Sequence, residues 1–377
     1  MKRAIGVVLT VALVLGMIGV GFWRYQSRGE TARPAHSAGP SGAEVSTPSK
    51  LTTVRAVVGS EKKAYFTDPD VKRVFARAGI EVKVDTAGSR EIATSTNLED
   101  YDVAFPSSAP AAEKIRRENK TLGVYSPFYS PMAVASFAPI VDLLAKVGVA
   151  TKNPAGYWTF DVEAYLALVA RGTRWDQIPG NTTYPATKSV LVTTTDVRRS
   201  NSAAMFLAMA SYVANGKQVV QSRAQAEKVL PEMVKLFLGQ GFSESSTEAP
   251  FEDYLALGQG KTPVLLTYES LFVDRQLRKD GSITPEMVLL YPKPEVLSKH
   301  TVLALTEAGT KVGELLSDDP ELQRLAARYG FRSTNPATFR EVLTEAGVAQ
   351  PPDLVDVVEP PRYEILEAMI VALEKQY

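Results

Sequence analysis

The sequence predicts an α/β body folded as two lobes, and three observations predict it. A short apolar run ends five times in a small-polar turn ready to start a helix: Val54–Ser60, Val82–Ser89, Tyr101–Ser108, Val190–Asp196 and Pro263–Ser270. Runs this short and rich in Val or Leu are those of buried strands in a mostly parallel sheet. The Ser, Thr and Asp at their ends are helix N-cap residues. These turns also recur in two separated parts of the chain. Finally, two Pro-rich aromatic crossings, near 130 and near 293, bracket the middle section. The middle is then an inserted second lobe, and the first lobe is built from both ends. Ligands of open α/β sheets sit outside the carboxyl ends of strands, beside helix N-termini. The expected site is therefore a cleft faced by these turns.

Taken in order, the body starts near Thr52 with a strand at Val54–Gly59, a helix near Pro69–Ala78, a strand at Glu81–Thr86 and a helix from Glu91. A strand at Tyr101–Ala104 and a helix at Pro110–Asn119 follow, with Pro110 suited to a first helical turn. This βαβ series implies right-handed crossovers. Tyr125–Pro131 changes texture, being aromatic and Pro-rich, before Met132–Ser136 resumes as a strand. Val190–Thr193 and Val264–Thr267 are the strands expected of the middle section. Helical spacing is carried by Val141–Val147, Val162–Arg171 and Ala203–Val213. Val288–Pro294 ends another apolar run in a Pro-rich bend, and after Thr301–Thr306 the chain reads as helices at Gly309–Leu316, Glu321–Tyr329, Phe339–Ala346 and Arg362–Gln376. No repeat of fixed period is present.

The N-terminus is the clearest topological signal. Met1-Lys2-Arg3 precedes Ala4–Trp23, twenty residues without charge, long enough for a bilayer at about 1.5 Å per residue. Trp23-Arg24-Tyr25 follows where a cleaved signal would carry a small-x-small site. The expectation is an uncleaved single-pass anchor with the body outside the cytoplasm. Gln26–Ser49, rich in Ser, Gly, Ala, Pro and Thr, reads as a tether. The expected organisation is an anchor over 1–23, a linker over 24–52, a first lobe from 53–131 and 293–377, and a second lobe over 132–292.

Composition excludes several functions. From Leu51 onward the body carries 36 basic and 40 acidic side chains, which gives no electrostatic reason to expect nucleic acid. With no cysteine in the 377 residues, disulfides, thiol nucleophiles and thiolate metal sites are absent. Only two histidines exist, His36 in the tether and His300 near a crossing, which argues against a Ser-His-Asp triad and a His-rich metal site. No metal and no cofactor is expected. Ser60-Glu61-Lys62-Lys63 satisfies S-x-x-K, Ser95-Thr96-Asn97 satisfies S-x-N, and Lys261-Thr262 begins a K-T-G-like string. Pro263 replaces its glycine and intrudes where a substrate must approach. Gly258–Thr262 resembles the end of a P-loop but precedes a strand rather than a helix.

The discontinuous layout resembles bacterial extracellular solute-binding proteins of the type II periplasmic class, in the branch of the molybdate and sulfate binders. It is most similar to the membrane-anchored actinobacterial type that is sometimes accompanied by a von Willebrand A domain. The stretches that carry the resemblance are Val58–Lys62, Ala87–Arg90, Tyr101–Ser108, Tyr268–Ser270 and Asp318–Arg332, spanning roughly residues 53–335. It implies a small polar or ionic solute held between lobes by hydroxyls, helix N-terminal amides and a tyrosine. By position these are Ser60, Ser89, Ser107 or Ser108, Ser202 and Tyr268. It also implies a transporter permease or a von Willebrand A domain protein as partner, and no enzymatic activity.

Glu61 and Glu269 stand beside the expected cleft, where carboxylates repel an anion, whereas the Arg90 guanidinium can fork onto one. Anion, amphoteric solute and cation stay open. The same residues have plainer readings: Ser60, Ser89 and Ser202 as helix caps, Glu61 and Glu269 as first-turn carboxylates on a helix dipole, Arg90 as a surface or ion-paired residue, Tyr268 as core. Two other functions fit the sequence. One is a sensor or assembly module on a binding fold with its cleft unused. The other is an envelope acyl-enzyme using Ser60 and Lys63.

Overall fold

The computed structural model describes residues 50–241, 243–349, 353–354 and 356–377. The expected anchor, the tether up to residue 49 and Gln350–Pro352 lie outside the described residues. Among those described, no helix is long and apolar enough to cross a membrane.

The chain opens with β1 (Thr52–Val58), α1 (Lys63–Thr67), α2 (Pro69–Arg77), β2 (Ile80–Thr86), α3 (Ser89–Thr94), β3 (Val103–Phe105) and α4 (Ala109–Glu118). The 15-residue β4 (Gly123–Phe137) leads into α5 (Ala138–Lys146), β5 (Ala150–Lys152), β6 (Trp158–Asp161) and α6 (Val162–Ala170). Then come α7 (Asn201–Ala214), α8 (Arg223–Leu238), α9 (Glu248–Leu257), β7 (Val264–Tyr268), α10 (Glu269–Arg278) and β8 (Met287–Lys293). The chain continues with β9 (Glu295–Ala304), α11 (Glu307–Asp318), α12 (Pro320–Arg328), β10 (Arg332–Ser333), α13 (Pro336–Ala346), β11 (Val357–Val358) and α14 (Tyr363–Glu374).

Local chemistry accounts for these elements. α2 begins where the Asp68 carboxylate accepts from the amides of Asp70 and Val71 and Pro69 fills the first turn. Its Val71, Val74 and Phe75 then share one buried face. In β1 the pleat sends Val54, Ala56 and Val58 into one core and Val57 into another, and β3 divides Val103 and Phe105 from Ala104 in the same way. Helices therefore cover both faces: α2, α11 and α12 on one, α3 and α4 on the other.

β4 organises the rest. Its first half, Gly123–Pro131, pairs with β9, and its second half, Met132–Phe137, pairs with β7 and β8. β8 in turn passes to β9 across Pro294. One strand thus belongs to two sheets, and the two changes of partner fall at the Pro-rich stretches near 130 and 293. Tyr125–Pro131, expected as a Pro-rich crossing before a strand resumes at Met132, is instead part of that same continuous strand. Its register with β9 shifts between Tyr125 and Phe128, around Pro127, which has no amide to give to a ladder.

Two other expectations are corrected. The sheet is mixed rather than mostly parallel. β1 runs parallel to β2 and β3, and β6 to β8, but β9 is antiparallel to β3 and β4, and β4 to β7 and β8. Val190–Thr193 is not a strand, and only Thr193 bridges to Leu265. The backbone there is spent elsewhere: the Val192 amide donates to the Tyr165 hydroxyl at 2.9 Å and the Thr194 amide to Gln240 Oε1 at 2.7 Å.

The last helix joins two regions. The apolar face of α14 (Leu366, Met369, Ile370, Leu373) enters the same core as α7 and α8. Its polar face meets α3 and α4: Glu367 holds Arg90, Glu364 holds Arg117, and Lys114 lies over the Tyr363 ring. Leu373 is fully buried, so Leu373→Ala is expected to cost about 2–5 kcal/mol, read as a lower urea midpoint with an unchanged slope.

Candidate functional site

The turn after β1 creates the site's floor. Gly59 ends the strand, and Ser60–Lys62 form one tight 3₁₀ turn before α1. A methyl group on Gly59 would stand 2.5 Å from Ser107 Oγ and 2.6 Å from Glu61 Oε1, so only glycine lets these groups converge. The turn drives the Lys62 side chain inward to complete burial. Its ammonium donates to Glu61 Oε1 at 2.6 Å, to Ser107 Oγ, and to His300 Nδ1 at 3.2 Å. Three N–H donors meet three acceptors.

The network runs on across strands. Because His300 Nδ1 accepts from Lys62, its Nε2 carries the proton and donates to Ser298 Oγ at 3.4 Å. Ser298 donates to the Ser107 carbonyl at 2.6 Å, which also accepts from Asn201 Nδ2 at 2.7 Å. Asn201 reaches the Tyr268 hydroxyl at 3.2 Å as well. Ser107 itself donates to Glu61. Burial would raise the Glu61 carboxyl, but the adjoining Lys62 ammonium outweighs it and brings Glu61 down to about 2. His300, buried among Phe105, Phe128 and Phe331, is held neutral well below its ordinary range by desolvation and then by Lys62.

Above this floor lies a cleft of about 850 Å³. One side is the end of β2 and the start of α3; the other is the 196–201 turn and the 243–247 segment. The walls come close. A methyl on Gly88 would lie 2.5 Å from the Arg199 carbonyl oxygen. Ser60 Oγ donates across to Glu248 Oε2 at 3.0 Å, and burial, with Glu61 nearby, raises the Glu248 carboxyl.

Of the residues singled out from sequence, Ser60, Glu61, Ser89, Arg90 and Tyr268 line this cleft. Ser89 Oγ accepts the Ser107 amide at 2.9 Å, leaving its proton without an acceptor among the described residues. Arg90 is already engaged: it forks onto Glu367, and its Nη1 donates to the Arg198 carbonyl at 3.0 Å. Tyr268 is buried, and desolvation pushes its ionisation far upward.

The other four lie elsewhere. Ser107 is buried beneath the floor, between Lys62 and Glu61. Ser108 caps α4, accepting the Ala111 amide at 3.4 Å. Ser202 is buried in a hydroxyl cluster with Thr195, Ser200 and Thr247. Glu269 turns into the core as α10 begins, where Arg332 Nε and Nη2 each donate to it at 2.7 Å and the Tyr291 hydroxyl at 2.6 Å. Nor do Ser60, Ser89 and Ser202 cap helices; Gly59, Gly88 and Ser200 hold those positions. Lys63 is exposed, and the Ser60 hydroxyl donates to a carboxylate rather than facing a lysine base.

Sequence reading missed Lys62, Asn201, Ser298 and Glu248 as a connected set. The one available signal was His300 near a crossing, with a lysine pair directly after the first turn. Among the described residues no group of three or more His, Cys, Asp or Glu could hold a metal ion.

Comparison with known proteins gives fold but not family. No protein-family model matches the chain, and no curated protein does. Among solved structures, the sulfate-binding protein SubI from Mycobacterium tuberculosis is 15% identical with TM-score 0.51, over 86% of this chain and 99% of that one. Iron-bound HitA from Pseudomonas aeruginosa is 12% identical with TM-score 0.53, over 86% and 99%. Thiaminase I from Bacillus thiaminolyticus is 8% identical with TM-score 0.53, again over 86% and 99%. The fold is that of two-lobed periplasmic binding proteins, and it is shared with a protein named as an enzyme.

Two predictions follow from the buried charges. Glu269→Gln leaves Arg332 with one charged partner fewer in the core and is expected to cost about 3–5 kcal/mol, measured by denaturant unfolding. For Glu61, the folded carboxyl sits near 2 against 4.5 unperturbed, so the unfolded chain binds more protons between those values. Stability is therefore full above about pH 4.5 and falls as pH drops toward 2. Unfolding midpoints from pH 5 to pH 2.5 should show that slope, and Glu61→Gln should flatten it.

Proposed function

We propose that this protein is an extracytoplasmic receptor that captures a small polar or ionic solute in its cleft and presents it to an ABC-type transporter or another membrane partner. The N-terminal apolar segment would hold it to the cell membrane. The observation that carries this reading is the cleft itself: about 850 Å³, placed at strand ends, and lined by Ser60, Ser89 and the hydroxyls of the 243–247 segment. Such groups replace a solute's water shell without breaking a bond. Closure would be a hinge movement at the two places where β4 and the β8–β9 passage change partners. The fold alone decides nothing, since binding proteins and thiaminase I share it.

A second reading has its own observation. The cleft walls already touch through Asn201 and the Ser107 carbonyl, Ser60 and Glu248, and Arg90 and Glu367. A binding fold held shut in this way would serve as an interaction module with no solute. A thermal-shift screen of the purified chain against oxyanions, amino acids, polyamines, sugars and metal ions separates the two. At 100-fold excess over Kd a solute stabilises by about 2.7 kcal/mol, a plain rise in Tm. Stabilisation by any one class supports the receptor; a flat response across the panel overturns it and favours the module.

A further inference from the structure

Three cationic and five anionic side chains line the cleft. Their balance depends on which are already neutralised. Arg90 is forked onto Glu367 of α14. Arg198 is held by Asp196 at 2.6 Å, and its guanidinium lies 4.5 Å from the centre of the Tyr377 ring, just past α14. An oxyanion would have to displace a carboxylate from Arg90, and at Arg198 it would meet a guanidinium whose charge Asp196 already balances. Only Arg199 stands without an ion-pair partner among the described residues.

The anions are less occupied. Glu61, with a side chain only 7% exposed, accepts both of its hydrogen bonds at Oε1, and among the described residues Oε2 accepts none. Glu91, Glu244 and Glu374 line the cleft and make no ion pair among the described residues. Glu374 comes from α14, the helix that also engages Arg90. Lys62 balances the Glu61 charge from beneath the floor, so the unpaired negative charge at the cleft surface is that of Glu91, Glu244 and Glu374, while Glu61 contributes an open acceptor oxygen.

We propose that the cleft takes a solute bearing an ammonium or guanidinium group, with Glu61 Oε2 as its deepest acceptor, and that α14 sets this preference by engaging Arg90 and contributing Glu374. The inference rests on the receptor reading above and names its substrate class. Tyr268 is the one aromatic among the lining residues described. A quaternary ammonium, which is recognised by an aromatic cage, therefore fits less well than a group with N–H donors. The hydroxyls of Ser60, Ser89 and Thr247 serve as acceptors for the rest of such a molecule.

The test is calorimetry and thermal shift on the purified full chain at low salt, with putrescine and arginine as cationic probes, sulfate and molybdate as oxyanions, and ferric ion as a metal. The expected result is that putrescine or arginine binds and the others do not. Glu61→Gln should weaken that binding roughly tenfold or more. Because Glu61→Gln also disturbs the partner of a buried lysine, Glu374→Gln is the second variant; it lies on an exposed position and should weaken binding about two- to fivefold, less at high salt. Glu367→Gln, which releases Arg90, should weaken the cation and admit sulfate. Binding of sulfate or molybdate in place of putrescine and arginine overturns the charge preference, binding of ferric ion alone overturns the ammonium or guanidinium class, and either leaves the receptor standing. Cation binding unchanged in both Glu61→Gln and Glu374→Gln overturns the assigned acceptors. No binding of any of these probes overturns this inference, and the receptor reading falls with it only when the broader thermal-shift panel is flat as well.

Discussion

An ammonium buried without acceptors is one of the most costly things a protein can contain. This fold places one, on Lys62, beneath the strand ends of its first sheet. Everything near the site is arranged around satisfying it. Glu61 supplies the opposite charge, Ser107 a hydroxyl, and His300 a ring nitrogen whose tautomer is thereby fixed. The three acceptors come from the turn after β1, the turn after β3 and the middle of β9. Their convergence ties together segments that are far apart in sequence. Through Ser298 and Asn201 the same network reaches α7 and Tyr268. The lysine therefore sets the cleft's geometry although it does not line it.

Much of the first sheet was legible because its signals are local. The apolar run of β1, the Pro69 start of α2 and the Pro110 turn each report on a few neighbouring residues. The cleft was legible in part for the same reason: Ser60, Ser89 and Tyr268 sit at strand ends, where an α/β sheet places ligands. What was not legible depends on partners distant in sequence. Glu269 follows a strand end as the others do, yet Arg332 draws it into the core. Arg90 looks like an anion fork until Glu367, far along the chain, fills it. Val190–Thr193 has strand composition, but its amides scatter to the Thr173, Ser189 and Val264 carbonyls and the Tyr165 hydroxyl. Two consecutive lysines give no local hint that one is exposed and the other wholly enclosed.

α14 shows how charge and packing can be separated on a single helix. Leu366, Met369, Ile370 and Leu373 fix its position through an apolar face that has nothing to do with the cleft. With position settled by that face, Glu364 and Glu367 are free to meet arginines of α4 and α3. Such partly exposed ion pairs contribute little stability, typically below about 1 kcal/mol each. Their effect is on the potential inside the cleft, which depends on where charges sit more than on how strongly they hold the fold.

The pairing of Val103 in β3 with Ala304 in β9 has a consequence in time. β1, β2 and β3 leave the ribosome early, but the strand that closes their sheet comes only after the whole middle section. Contacts so distant in sequence form slowly, because the ends of a very long loop must find each other first. The early strands therefore wait with an open edge while synthesis continues. A chain whose first sheet cannot be completed until residue 304 has emerged keeps one edge of that sheet unpaired for most of its synthesis.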